Sequence, residues 1–220
     1  MATWMTHFRV AGELIDFFGR DKLDLESFVF GNIAPDCGVP NPDGKTYTPD
    51  KDISHYGKSH YRDYDAFRTR YLSKYVGKRA TSFYYGYYCH LIVDEVWSNT
   101  LLYPKIDEFL KDGEDRHSLI MDMKVDWRLA DDLFLMENGD FEPYRIILGM
   151  DGFENEYLEF FPKDAFDIQL KRLKTFYSEV DGARKEYKYL GKSDLDEFVI
   201  MAAREVTERF CRESICGLER

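Results

Sequence analysis

The sequence predicts an all-α fold, built as a single domain of about seven or eight helices over residues 1–220. Apolar residues recur at intervals of three and four along most of the chain, which is the spacing of amphipathic helices. Strict alternation of apolar and polar residues, the signature of strands, is almost absent. An apolar fraction of 44% with 16% aromatic residues indicates a buried core rather than a disordered chain.

The helical periodicity divides the chain into segments separated by turn residues. The first segment, residues 4–18, has Thr3 as a candidate N-cap and Gly19 as a stop signal. Helical spacing then covers residues 24–34, 62–76, 81–99, 103–111, 117–137, 163–179 and 193–218. Glycine, proline, asparagine and aspartate concentrate in residues 36–60, which predicts one long functional loop in that region. No repeat or linker interrupts the chain, and this is why we predict a single domain.

Charge and composition exclude several classes of function. A net charge of −11 argues against general nucleic-acid binding, which needs clustered lysine and arginine. No stretch approaches the roughly 18 apolar residues of a transmembrane helix. The first residues have no basic stretch before an apolar run, so we expect no secretory signal and a cytoplasmic protein. The cysteines form no CxxC pair and are expected to be reduced structural thiols. The oligomeric state stays open.

The segment most suggestive of chemistry is the predicted helix that contains His90 and Asp94. These residues are four apart, so their side chains lie on one face, one turn from each other. They could bind one metal ion, Asp94 could bridge two ions, or the two could form a local polar pair. The neighbouring residues are apolar, and a buried charge is costly unless it is paired or bound to metal. Gly86, one turn before His90, predicts the close approach of another backbone or of a substrate.

Further candidate ligands lie in separate parts of the chain. The sequence has five histidines, and four of them precede residue 95. His7 lies on the first predicted helix, whereas His55 and His60 lie near the end of the long loop. Asp36 directly follows a proline that ends a helix. From the residues alone, a core position is the usual one for His7 and an ordinary turn position for Asp36, whereas the loop histidines are equally compatible with exposed positions.

Taken together, these residues resemble the zinc-dependent phospholipase C family. The resemblance rests on Trp4 and His7, the GNIAPD segment that ends in Asp36, the loop histidine His55, and the GYYxHLxxD pattern of residues 86–94. The chain looks like an intracellular bacterial branch of the helical superfamily that also holds single-strand-specific zinc nucleases. Membership implies a helical bundle with a cleft that holds up to three zinc ions.

The resemblance also implies a set of metal ligands. One zinc ion would be bound by Asp36, His55 and His90, and Asp94 would bridge to a second ion. His7 would bind that second ion. His60 is a possible alternate ligand in place of His55, a choice that the sequence does not make. Neutral imidazole and carboxylate are ligands that zinc prefers.

The implied activity is hydrolysis of a phosphoester with a metal-activated water as nucleophile. Asp36 would lie beside that water and is the candidate general base. The substrate would be a phospholipid headgroup, a small phosphodiester or a nucleotide. We predict that the pocket is lined by Tyr56, Tyr84 and Tyr87.

The sequence departs from the family pattern in two places. Secreted members bind zinc through the amino group of an N-terminal tryptophan, but Trp4 is internal here and is interpreted as a packing residue. The third zinc of the family needs a histidine followed by an HxxxE pair on a later helix. The only later histidine is His117, with Met121 four residues on. We therefore predict one or two ions, of zinc or another divalent metal.

Two alternatives remain at this point. The first is a degenerate, metal-stabilised helical binding protein without catalysis, which the missing histidines favour. The second concerns Asp122 and Asp126, which also lie four residues apart and could bind a harder ion. We interpret that acidic pair as part of a solvated helix face.

Overall fold

The structure is a computed structural model that describes residues 1–58, 61–178 and 186–215. Helices dominate it, and the all-α prediction is confirmed. In chain order they are α1 Trp4–Phe18, α2 Leu25–Gly31, α3 Lys51–Ser54, α4 Tyr64–Phe67, α5 Lys78–Trp97, α6 Tyr103–Phe109, α7 Arg116–Glu137, α8 Glu142–Gly149, α9 Ala165–Phe176 and α10 Lys192–Arg212.

Short elements fill the segment predicted as a loop. A 3-10 turn spans Ala34–Asp36, and two antiparallel ribbons follow it. The strands of the first ribbon are β1 Val39–Pro40 and β2 Tyr47–Thr48, and those of the second are β3 Gly57–Lys58 and β4 Tyr61–Arg62. Strands of two residues are too short to show a period of two, which is why the sequence did not reveal them. His60 lies outside the described residues.

Sequence signals placed α1 accurately and missed α8. The Thr3 hydroxyl accepts a hydrogen bond from the Thr6 N–H, and Gly19 ends α1 with a φ of +83°. The predicted helix over residues 62–76 is shorter than expected, because α4 continues only into a π turn at Arg68–Leu72. Helix α8 has eight residues and starts after Phe141, whose side chain provides no cap that would mark the start in the sequence.

Helix α5 lies at the centre of the fold and packs against α1, α2 and α10. Its contact with α2 is a contact of backbones. A Cβ atom on Gly86 would lie 2.2 Å from the Phe28 carbonyl oxygen, and one on Gly31 would lie 2.3 Å from the Phe83 carbonyl oxygen. The close approach predicted at Gly86 is therefore confirmed, and it brings the residues that follow α2 next to His90.

Most residues of α5 are buried within the protein itself. Across the described residues, no helix combines the length and the apolar character needed to span a membrane.

Candidate metal centre

His90 and Asp94 face the same side of α5, as their spacing predicts. Both side chains are fully buried, and His90 Nε2 lies 3.8 Å from Asp94 Oδ2. His90 Nδ1 donates a hydrogen bond of 2.8 Å to the Asn32 carbonyl oxygen at the end of α2. This bond fixes the tautomer, so the lone pair of Nε2 points toward Asp94. A histidine that binds metal usually has such a partner on its other nitrogen.

His7 joins this pair from α1. Its ring stacks on that of His90, with centroids 3.9 Å apart and an angle of 8° between the planes. His7 Nε2 lies 3.5 Å from Asp94 Oδ1. Neither ring nitrogen of His7 has a hydrogen-bond partner among the described residues. His7 is therefore a fully buried imidazole on the apolar face of α1.

Asp36 and His55 approach from the segment between α2 and α4. His55, the residue after α3, places Nε2 3.5 Å from Asp36 Oδ1 and 3.6 Å from Asp94 Oδ2. Its Nδ1 lies 3.2 Å from the Lys51 carbonyl oxygen and 2.9 Å from the Ser54 hydroxyl. The ring is thus held from its outer side, as His90 is, and presents Nε2 to the carboxylates.

The five side chains form two overlapping groups that fit a metal ion. His7, His90 and Asp94 make one group and Asp36, His55 and His90 the other, with ligand atoms within 4.8 Å of one another in each. Four buried ligand atoms have no hydrogen-bond partner among the described residues: the Nε2 atoms of His7, His55 and His90, and Asp36 Oδ1. Buried polar atoms are rarely left unpaired. Imidazole nitrogens and carboxylate oxygens are the donor set of zinc, so these residues fit it.

The protonation states also suit a metal ion. Burial, reinforced by the neighbouring His7, lowers the pKa of His90 well below its usual value, so the ring is neutral. Burial acts to raise the pKa of Asp36, but the contacts with His55 and His90 outweigh it and hold the pKa below its ordinary value. Burial also acts to raise the pKa of Asp94, but the chain's amino group and His7 outweigh it and hold the pKa well below its ordinary value. Neutral imidazoles and ionised carboxylates are the forms that bind metal.

A cleft of about 520 Å³ opens beside this cluster. Asp36 is the one cluster residue in its wall, where it is joined by side chains from the start of α1, from α7 and from α9. The three tyrosines predicted to line the pocket lie elsewhere. Tyr87 is fully buried and donates to the Ser54 carbonyl oxygen, Tyr84 donates to the Tyr157 carbonyl oxygen, and Tyr56 packs edge-on against Phe67. Their rings belong to an aromatic cluster that includes Phe67 and Tyr71.

Residues 6–99 match the family model described as zinc dependent phospholipase C. This match supports the family that the sequence resembles. It covers less than half of the chain, but it includes all five cluster residues, which are His7, Asp36, His55, His90 and Asp94. Neither the curated proteins nor the solved structures gave a match.

Sequence reasoning missed two contacts to Asp94, a residue of the matched region. The Ala2 N–H donates to Asp94 Oδ1 at 3.0 Å, and Arg62 Nη2 lies 3.3 Å from Asp94 Oδ2. Arg62 Nη1 also donates to the Leu91 carbonyl oxygen at 3.2 Å. No pattern in the sequence distinguishes Arg62 from the other arginines near it. Its guanidinium brings a positive charge to the edge of the cluster.

The acidic residues of α7, outside the matched region, have structural partners. Asp126 is fully buried, and its Oδ2 accepts hydrogen bonds from the N–H groups of residues 188–190 at 2.6 to 3.2 Å. The interpretation of Asp126 as part of a solvated face is therefore wrong, whereas Asp122 is exposed. His117 is exposed too and belongs to neither group of possible ligands found in the described part of the chain.

Proposed function

We propose that this chain is a metal-dependent, phospholipase C-like hydrolase of phosphoesters. The proposal assigns zinc to the cluster formed by His7, Asp36, His55, His90 and Asp94. The observation that carries it is the convergence of buried, unpartnered ligand atoms beside an open cleft. The family match supports a zinc-dependent hydrolase of this type.

The chain's own residues would position and activate the reactants. Zinc at such a site supplies Lewis acidity and lowers the pKa of a water that it binds. Asp36 is ionised and lies in the cleft wall, so a carboxylate oxygen there could accept a proton from the attacking water. The bonds from His90 to Asn32 and from His55 to Lys51 keep the ligating nitrogens from rotating away.

The overlap of the two groups supports a site for one or two ions. His90 is common to both groups, and Asp94 contacts ligands of each. A second ion would have to compete with the guanidinium of Arg62 at Asp94. Because Arg62 occupies part of Asp94, this contact also favours the alternative function, a metal-stabilised binding protein without catalysis.

The experiment compares the zinc-loaded wild type with Asp36→Asn on a chromogenic phosphodiester and on phospholipid vesicles. We expect hydrolysis by the wild type and a loss of about 100-fold or more in the variant, as for removal of a general base. Asp140→Asn, a fully exposed site, is the matched control and should hydrolyse at the wild-type rate.

Zinc content is measured on each sample, because Asp36 is also a proposed ligand. No hydrolysis by the zinc-loaded wild type would contradict the hydrolase proposal and favour the binding protein. Equal rates for the wild type and Asp36→Asn, at equal zinc content, would overturn the role of Asp36.

A further inference from the structure

One face of α7 forms part of the cleft wall. Its contributing residues are three or four apart and are Ile120, Lys124, Trp127, Arg128 and Asp131. The wall also contains Arg172 from α9 and Lys51 from α3. Four cationic side chains therefore line a cleft that holds two carboxylates, Asp36 and Asp131, in a chain whose net charge is −11.

Three of these cations have no acidic partner among the described residues; Lys51 contacts the Met1 sulfur at 3.2 Å, and Lys124 and Arg172 face the cleft. Within the described residues, neither Lys124 nor Arg172 has a carboxylate at ion-pair distance, and both are exposed to the cleft. The Arg172 guanidinium instead lies over the ring of Trp4, 5.2 Å from its centroid. Arg128 differs, because it is ion-paired with Asp132 at 2.9 Å. Lys124 and Arg172 therefore remain available to an anion in the cleft.

The two carboxylates of the cleft are both engaged in other contacts. Asp36 contacts His55 and belongs to the metal cluster. Asp131 accepts hydrogen bonds from the hydroxyls of Thr3 and Tyr177, at 2.8 and 2.9 Å. Burial raises the pKa of Asp131 to about 7, so a large part of this group is uncharged near neutral pH. Positive side chains in the described cleft wall therefore outnumber the ionised carboxylates.

Trp4 argues against a cationic ligand in the same place. An aromatic face is the usual binding surface for a quaternary ammonium group. Here the guanidinium of Arg172 already lies over the ring, and Phe176 packs edge-on against Trp4 with ring centroids 5.1 Å apart. A trimethylammonium group would have to displace Arg172 and would meet its charge.

We propose that Lys124 and Arg172 bind an anionic group on the alcohol part of the substrate. The cleft would thereby select phosphoesters that carry a second negative charge over those that carry a cation. This inference rests on the proposed function, which supplies the reaction. The preference for an anionic ligand is a property of binding, so it can be measured without catalysis.

The test is isothermal titration calorimetry of the full chain, zinc-loaded and metal-free, with two matched ligands. 3-Phosphoglycerate carries a phosphate and a carboxylate, whereas phosphocholine carries a phosphate and a trimethylammonium group. We expect 3-phosphoglycerate to bind at least about tenfold tighter, the factor for one hydrogen bond to a charged group. In the double variant that combines Lys124→Gln and Arg172→Gln, this preference should fall below about twofold.

The control is Lys74→Gln with Arg116→Gln, which changes the net charge equally at two exposed positions away from the described cleft wall. It should keep the wild-type preference. Equal affinity of the wild type for the two ligands, or a preference that survives in the cleft variant, would overturn the inference.

The two proposals fail separately. Selective binding without hydrolysis would contradict the hydrolase and support the cationic wall formed by Lys124 and Arg172. Hydrolysis with equal affinity for the two ligands would contradict the wall alone. Zinc content and thermal melting of each variant show whether its fold is retained.

Discussion

The imidazole rings of His7 and His90 are stacked face to face in the core, 3.9 Å apart and within 8° of parallel. Two protonated rings could not be held at this distance without strong repulsion. Burial and the neighbouring ring lower the pKa of His90, so it is neutral at physiological pH. Its Nε2 has no hydrogen-bond partner in the described part of the chain. The stack therefore presents a neutral imidazole in the form that binds a metal ion.

The backbone contact at Gly86 should control both stability and the metal site. In Gly86→Ala the new methyl group would lie 2.2 Å from the Phe28 carbonyl oxygen and 2.9 Å from the Asn32 nitrogen. Helix α2 would have to move, together with the carbonyl group that orients His90. We expect the free energy of unfolding to fall by about 3 kcal/mol and zinc to bind more weakly. Urea denaturation and a zinc titration measure the two effects.

Gly139→Ala is the control for this substitution, since nothing lies within 4 Å of the added atom. Its free energy of unfolding should change by less than about 0.5 kcal/mol. A wild-type stability for Gly86→Ala would contradict the close packing of α2 on α5.

Asp126 should be a structural residue. Its Oδ2 accepts from three consecutive N–H groups, and Asp126→Ala leaves all three without this acceptor. We expect a loss of about 3 kcal/mol in the free energy of unfolding, measured by chemical denaturation. The exposed Asp122→Ala on the same helix should lose little. If the two variants were equally stable, this account of the buried carboxylate would be wrong.

Asp131 should make the free energy of unfolding depend on pH. Its pKa is raised from 3.8 to about 7, so the folded protein holds a proton that the unfolded chain releases. Stability from this group is present at low pH and is lost as the pH rises toward 7. In Asp131→Asn this dependence disappears, while Arg128 and Asp132, which are close to residue 131, are unchanged.

The measurement is the free energy of unfolding of the wild type and of Asp131→Asn between pH 5 and 8. The stability of the wild type relative to Asp131→Asn should fall by about 1.4 kcal/mol per pH unit as the pH rises from 5 toward 7. The exposed Asp140→Asn should differ from the wild type by the same amount at every pH. A constant difference for Asp131→Asn as well would show that Asp131 titrates normally.

The sequence predicted the positions that have a local signal. Thr3 and Gly19 mark the ends of α1 through capping chemistry, and the spacing of His90 and Asp94 places both on one face of a helix. The resemblance to the family added His7, Asp36 and His55, and the structure brings these three to the same cluster.

Long-range partners could not be read from the sequence. Nothing near Asp126 shows that it accepts from residues 188–190, and nothing near Arg62 shows that it reaches Asp94. Tyr56, Tyr84 and Tyr87 were predicted to line a pocket, but the direction in which a ring points depends on packing that the sequence does not show. Tyr87 packs against Phe67, away from the cleft.

The most direct test of the account is the zinc content of the protein, measured by elemental mass spectrometry after zinc loading and removal of excess metal. We predict one or two equivalents in the wild type and in His117→Gln, whose histidine is exposed, and loss of zinc in His90→Gln. Absence of zinc from the wild type, or full retention by His90→Gln, would contradict the assignment of the cluster as a metal centre.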